Sequence, residues 1–152
     1  MEPAAVAAAI SVALDLQPDD TVLEVGCGAG LLAQLLRCRY VGLDYSPAMV
    51  ARFRTLHQLP ALVGTAAALP FATGSVTKIF AFSVFQYFPD PQYAARALAE
   101  LVRVARRAVF VGDLPERSHS EHHQLYQRGQ FAGWQVSDGF YNPDRFNILR
   151  WL

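Results

Sequence analysis

Charge of either sign is scarce in this chain. Only 17% of its 152 residues are Asp, Glu, Lys or Arg, and the 13 basic and 13 acidic side chains cancel. No basic field is available to draw in a phosphate backbone, which argues against nucleic acid as a substrate. Cysteine is equally sparse. Cys27 and Cys38 are too few for a disulfide scaffold and read as free thiols of a reducing compartment, so a cytoplasmic protein is expected. The Ala-rich start lacks the basic residues of an export signal, its first charge being Glu2. The longest uncharged stretch, residues 55–77, holds Pro60, Pro70 and His57 and does not read as a membrane span. What remains is a chain with 53% apolar residues, long enough for one domain with a real core.

Apolar positions recur with two periods. Val6, Ile10 and Leu14 share one face of a helix expected over residues 4–16, stopped by Gln17-Pro18-Asp19-Asp20. Short apolar runs predict strands at residues 21–25, 40–43, 61–63, 78–83 and 108–111. Helices are expected between them: a short one over residues 31–36, and one from Pro47 behind the cap Ser46, with Met49, Val50 and Phe53 on its apolar face. A third opens at Asp90-Pro91 and buries Ala94, Leu98, Leu101, Val102 and Ala105. The polar stretch 116–128 reads as helical. Residues 133–137 and 146–151 read as two last strands around the turn-like Tyr141-Asn142-Pro143-Asp144. The alternation predicts one doubly wound α/β domain over residues 1–152, its mostly parallel sheet placing the ligand crevice at the carboxyl ends of the strands. Residues 1–16 form its N-terminal helix and residues 114–133 a variable segment on the substrate side.

The sharpest signal is Val22-Leu23-Glu24-Val25-Gly26-Cys27-Gly28-Ala29-Gly30, a strand that runs into three alternating glycines. Glycine reaches positive φ and lets a ligand approach the main chain. Amides at a helix start behind the loop would suit a carboxylate or phosphate. Asp44 closes the next strand, where a carboxylate can accept from both hydroxyls of a ribose. A dinucleotide fingerprint needs glycine at position 31. Leu31 stands there, which argues against a nicotinamide-dependent oxidoreductase.

With Glu24 ahead of it, the loop resembles motif I of the class I S-adenosylmethionine-dependent methyltransferases. The likeness continues through Val41-Gly42-Leu43-Asp44-Tyr45-Ser46-Pro47-Ala48-Met49, Val63-Gly64-Thr65-Ala66-Ala67-Ala68-Leu69-Pro70-Phe71, Ser83-Val84-Phe85-Gln86-Tyr87-Phe88-Pro89-Asp90 and Leu101-Val102-Arg103-Val104-Ala105-Arg106. The resemblance implies S-adenosylmethionine as cofactor, with Glu24 toward its amino group and Gly26, Cys27, Gly28 and Gly30 beneath it. It puts Asp44 on the ribose, Tyr45 and Met49 against the adenine, Thr65, Ala66 and Ala67 at the adenine edge, and Ser83 near the sulfonium. It further implies a seven-stranded sheet of order 3-2-1-4-5-7-6 with the last strand antiparallel and helices on both faces. Three places depart from the pattern. Thr65 stands where an acid is frequent, Val76-Thr77 replaces a Phe-Asp pair, and Arg106-Arg107 takes the place of a Pro-Gly-Gly turn.

Methyl transfer from a sulfonium is an in-line displacement in which the protein mainly positions the acceptor and excludes water. A small-molecule acceptor is expected. Ser83, Gln86 and Tyr87 follow the fourth strand and are the candidates near the sulfonium; Tyr87 orients the substrate, contacts the methyl donor or caps the sheet. Asp113 either faces the crevice or serves as a loop acid or helix cap. His119, Glu121, His122 and His123 cluster, but the order His-Glu-x-x-His is missing, so no metal is expected. His119 or His123 could instead act as general base, since neutral imidazole titrates near physiological pH. Cys27 reads as a small packed residue rather than a reactive thiol. Little chain is available for a lid. The pocket is therefore open, completed by a second copy of the chain in a homodimer, or shaped for a carrier-bound or peptide substrate. The alternative function is a non-methylating S-adenosylmethionine-binding protein or inactive partner subunit.

Overall fold

The computed structural model describes residues 2–118 and 120–152. Within them, β1 (Thr21–Val25), β2 (Arg39–Asp44), β3 (Ala61–Val63), β4 (Val76–Phe82), β5 (Ala105–Pro115), β6 (Gln135–Asp138) and β7 (Arg145–Trp151) form one sheet. Its order is β3-β2-β1-β4-β5-β7-β6. The first five strands run parallel, and β7 inserts antiparallel to both β5 and β6, as the family resemblance implies.

Period two along the strands sorts their side chains onto two faces. Leu23, Val25, Ile79, Ala81, Val109 and Val111 pack under α3 (Pro91–Val104). Val22, Phe80, Phe82, Ala108 and Phe110 pack under α1 (Pro3–Ala13) and α2 (Pro47–Leu56). The helix starts follow from local chemistry. The Ser46 hydroxyl accepts from Met49 N at 3.3 Å, and the Asp90 carboxylate accepts from Tyr93 N at 2.6 Å, each just ahead of a proline. Val6, Ile10 and Leu14 are buried as expected. On α3 the fully buried stripe is Ala94, Ala97, Leu101 and Val104, with Leu98 and Val102 only partly covered. On α2 it is Val50 and Phe53; Met49 stays half-exposed.

Two expected helices are absent. Residues 28–36 form successive turns, with Gly30 N on Cys27 O, Ala33 N on Gly30 O and Leu35 N on Leu32 O. Gly26 N and Cys27 N are both committed to Leu43 O, and the bonds that follow run three residues back rather than four, so no α-helical ladder forms. Leu32, Ala33 and Leu36 still face the core. Residues 116–118 and 120–127 are irregular as well, and β5 extends to Pro115, into the segment expected to vary. Short-range bonds such as His123 N to Ser120 O at 3.2 Å turn this stretch, and longer ones tether it to the body of the domain. Glu116 N donates to Asp144 O at 2.9 Å, Gln124 N to Gln86 O at 2.9 Å, and the Tyr126 hydroxyl to Phe85 O at 2.9 Å. The buried Tyr126 is its anchor.

At the opposite ends of the strands, Lys78 and Asp20 form a buried ion pair of 2.7 Å, and Lys78 Nζ also donates to Asp15 O at 2.6 Å. Thr77 Oγ1 accepts from Thr21 N at 3.0 Å on the same side, and Arg107 O accepts from Leu152 N at 2.8 Å. Two of the three departures from the family pattern therefore lie away from the crevice.

Candidate active site

β1 delivers the chain into the glycine loop at the carboxyl edge of the sheet. Gly26, Gly28 and Gly30 all have positive φ, of 81°, 52° and 87°. A side chain at Gly26 would also run into Val84, so this position requires glycine twice over. The loop is fastened to β2, with Gly26 N and Cys27 N both donating to Leu43 O, at 2.7 and 3.0 Å. Gly28 N then donates to Asp44 Oδ2 at 2.8 Å while Ser46 N donates to Asp44 Oδ1 at 2.9 Å. Each oxygen has lone pairs left for a ligand.

Asp44 lies on the wall of the larger of two neighbouring cavities, of about 580 Å³. Gly26, Leu43, Tyr45 and Ala66 share one side of it, and Ser83, Val84, Tyr87, Phe88 and Tyr93 the other. The smaller cavity, about 150 Å³, lies between α1 and the loop and is lined by Val6, Glu24, Gly26, Cys27 and Ser83 among others. Gly26 and Ser83 border both cavities.

Glu24 is buried, and the Tyr40 hydroxyl donates to its Oε2. Burial, helped by the charge of Asp44, pushes the Glu24 carboxyl up to about 8 against the pull of that hydrogen bond. The same burial and the neighbouring Glu24 drive the Tyr40 phenol well above its usual range. Cys27 is pushed up to about 12 by burial and then by the charges of Glu24 and Asp44. It stays a protonated, packed thiol.

The structure brings Glu24, Gly26, Cys27, Asp44, Tyr45, Ala66 and Ser83 onto cavity walls, and Tyr87 with them. Other expected residues stand elsewhere. Gly28 acts from behind, holding Asp44. Gly30 packs on His57, whose ring a side chain there would meet at 2.5 Å, and His57 Nε2 lies 3.0 Å from Ala29 O. Met49 borders neither cavity, because it lies off the buried stripe of α2. Thr65 and Ala67 border neither as well, since Thr65 bridges to Ala68 and turns the chain so that Ala66 faces inward. His123 is brought edge-on to Tyr87, with ring centroids 5.2 Å apart, and its Nδ1 lies 2.6 Å from Ser118 Oγ. His119 lies outside the described residues. Among the described residues no three His, Cys, Asp or Glu side chains gather to hold a metal ion, and no helix is long and apolar enough to cross a membrane.

Asp113 is neither a helix cap nor a solvated loop acid. It is buried within β5, and its Oδ2 accepts from Ser83 Oγ at 2.6 Å. Tyr40, Asn147, Tyr141 and Arg145 also serve the site, and nothing local in the sequence marks them. They come from the start of β2 and from the far end of the chain.

A mostly parallel sheet of this order, a glycine loop after β1 and a carboxylate closing β2 define a Rossmann-like protein of the class I methyltransferase type. Residues 23–111 match the profile of a methyltransferase domain family. The chain belongs to that family of S-adenosylmethionine-dependent methyltransferases. It is 35% identical over 118 residues to cyclosporin synthetase of Tolypocladium inflatum, a match covering 66% of this chain and 1% of that one. The chain thus spans a small fraction of this relative's length. Among solved structures, an S-adenosylmethionine-dependent methyltransferase of Methanosarcina mazei superposes with a TM-score of 0.75 at 15% identity, covering 90% of this chain and 93% of the other. Magnesium protoporphyrin IX methyltransferase of Synechocystis, with S-adenosylmethionine bound, superposes with a TM-score of 0.72 at 19% identity, covering 97% and 77%.

Proposed function

We propose that this chain binds S-adenosylmethionine and transfers its methyl group to a small molecule. The observation that carries the reading is the pair of cavities meeting at Gly26 and Ser83, each with its own acid. The residues fit the cofactor. Asp44 has lone pairs free for two ribose hydroxyls, and Tyr45, Leu43 and Ala66 offer an apolar wall to a base. Glu24, once ionised, would hold a cationic amino group, while Gly26 and Cys27 form the floor beneath it. When bound, S-adenosylmethionine supplies a methyl group on a sulfonium, open to in-line displacement by an acceptor lone pair. The chain's own part is to hold the acceptor, exclude water and take up a proton where one is released. Tyr87 stands on the cavity wall to orient the acceptor, and His123 beside it is the general-base candidate, with His119 as the second.

Calorimetry with S-adenosylmethionine and S-adenosylhomocysteine tests the reading. Both are expected to bind, and Asp44→Ala is expected to weaken both. Absence of binding to either would remove it. The placement of Thr65 off the cavity wall, with no acid in its stead, favours one competing reading, a non-methylating binder. Binding of the cofactor with no turnover of any acceptor would select that alternative.

A further inference from the structure

Val22, Glu24, Tyr40 and Gly42 share one face of the sheet, because the β1–β2 register pairs Val22 with Tyr40 and Glu24 with Gly42. Gly42 has no side chain, so the Tyr40 ring runs past it and its hydroxyl reaches the neighbouring strand, donating to Glu24 Oε2. A Cβ at position 42 would meet Cys27 Sγ at 2.8 Å and the Tyr40 ring at 3.4 Å, so the glycine keeps this passage clear. From α2 the Phe53 ring stacks on Tyr40, with centroids 6.0 Å apart and planes 7° from parallel. Glu24 is 5% exposed and Tyr40 4%.

Glu24 lines the smaller cavity and Tyr40 lines neither, so the phenol acts on that cavity only through the carboxyl. The titratable groups turned toward the pair are Asp44 from the end of β2, Cys27 from the glycine loop and Cys38 from just ahead of β2. None is a cation, and burial keeps both thiols protonated. The other elements against the pair present apolar groups: α1 gives Pro3 and Val6, β4 gives Phe82, and α2 gives Phe53, with His57 beyond it at 4.9 Å between ring centroids. A bare carboxylate in such a place has the charge of Asp44 against it and a single phenol for it. The carboxyl therefore keeps its proton in the empty chain, in line with its titration near 8.

We propose that Tyr40 is a positioning residue for cofactor capture, holding Glu24 as an uncharged acid that gives up its proton in exchange for the cofactor's ammonium group. The proposal rests on the S-adenosylmethionine-binding reading above. In the exchange the Glu24 O–H bond breaks, the proton leaves to solvent, and the carboxylate pairs with the ammonium. The cavity is neutral before and after, so no lone charge is buried at either stage. The Tyr40 hydroxyl donates to the carboxyl in both states but bonds the carboxylate more strongly, which favours the exchange. Affinity then depends on pH. In acid the cofactor must displace a held proton, and binding tightens as pH rises toward the titration of Glu24.

Two matched probes test the exchange. S-adenosylhomocysteine carries the amino-acid tail, and 5′-methylthioadenosine carries the same nucleoside and thioether without it. Each is titrated calorimetrically into the full chain in phosphate and in Tris, whose different ionisation enthalpies count the protons released. At pH ~7 S-adenosylhomocysteine is expected to release close to one proton (~0.5 or more) and 5′-methylthioadenosine about none. From pH ~6 to ~7 the first should tighten at least about fivefold and the second stay within about twofold. Tyr40→Phe is expected to weaken S-adenosylhomocysteine by ~tenfold or more at pH ~7 and 5′-methylthioadenosine by no more than about twofold. Glu24→Gln should abolish the proton release. Equal weakening of both probes by Tyr40→Phe, or S-adenosylhomocysteine binding with no proton released, overturns the proposal alone. Should Tyr40→Phe not fold, the proton count on the unaltered chain decides. Failure of both probes to bind removes the cofactor-binding reading and the exchange with it.

Discussion

The backbone amide of Gly28 and the carboxylate of Asp44 are joined by a 2.8 Å hydrogen bond that ties the glycine loop to the acid at the end of β2. The second carboxylate oxygen is held by Ser46 N at 2.9 Å, so the acid is aimed before any ligand arrives. Replacing it removes a ligand contact and a loop fastening together. Asp44→Ala is expected to weaken S-adenosylmethionine by roughly 100-fold, about 2.7 kcal/mol, for the loss of charge-assisted bonds. It should also lower stability by about 1–3 kcal/mol, because two amides lose their acceptor. Asp44→Asn retains an acceptor and should recover part of both losses. Calorimetry and urea melts separate the two effects.

The buried Glu24 makes stability depend on pH in an unusual direction. Its carboxyl ordinarily titrates near 4.5 and is raised to about 8 in the folded chain by burial and by Asp44. Between these values the folded chain carries a proton that the unfolded chain has lost, so this group's contribution to stability declines as pH rises from about 4.5 to about 8. Glu24→Gln keeps an acceptor for Tyr40 and has no proton to lose. Its melting temperature should match the wild type at pH ~5 and exceed it by a growing margin toward pH ~8.5. Parallel curves across that range would show Glu24 to be titrating normally.

Lys78 and Asp20 anchor the other end of the sheet, both buried. Burial alone would raise the Asp20 carboxyl, but the hydrogen bonds from Lys78 and Gln17 N and the Lys78 charge outweigh it and hold it below its ordinary 3.8. The stability this pair contributes is therefore full above that ordinary value and lost as pH falls below it. Lys78→Met leaves Asp20 unpaired and should lower stability by about 3–5 kcal/mol at neutral pH in urea melts. Adding Asp20→Asn should restore part of the loss, as the two sites are coupled.

His123 touches the ring of Tyr87, which lines the larger cavity, so one of the two expected bases lies close to that cavity. Alanine at both His119 and His123 is expected to lower turnover by ~10²-fold or more while leaving S-adenosylhomocysteine affinity within about twofold. Unchanged turnover would show that neither imidazole takes the proton. The Tyr87→Phe variant should raise acceptor KM with little change in kcat if the hydroxyl only orients the substrate.

Features set by neighbouring residues were legible in the chain. β1 and β3 have the expected ends because their apolar runs stop at a glycine loop and at short turns, and the helix starts at Pro47 and Pro91 follow from Ser46 and Asp90. Gly26 and Asp44 could be expected on the cleft from motif spacing, and Glu24 and Ser83 from the family resemblance. Features set by distance in space were not. The turns at residues 28–36 follow from the fastening of the glycine loop to Leu43 O, and residues 116–118 and 120–127 follow their tethers to Phe85, Gln86 and Asp144. Tyr40 is separated from Glu24 by 16 positions, and Asn147 from Asp113 by 34. Such pairings leave no period to read.

The connection behind the glycine loop contains no regular helix, only successive turns. This connection beside the cleft is thus secured by no regular ladder of its own, and its amides should exchange with solvent before those of β1 or β4. An occupant bridging Asp44 and Glu24 would clamp both sides of that stretch. Cofactor supply then governs how long the folded chain endures as well as how fast it works: scarcity leaves the connection prone to opening, and abundance shields it.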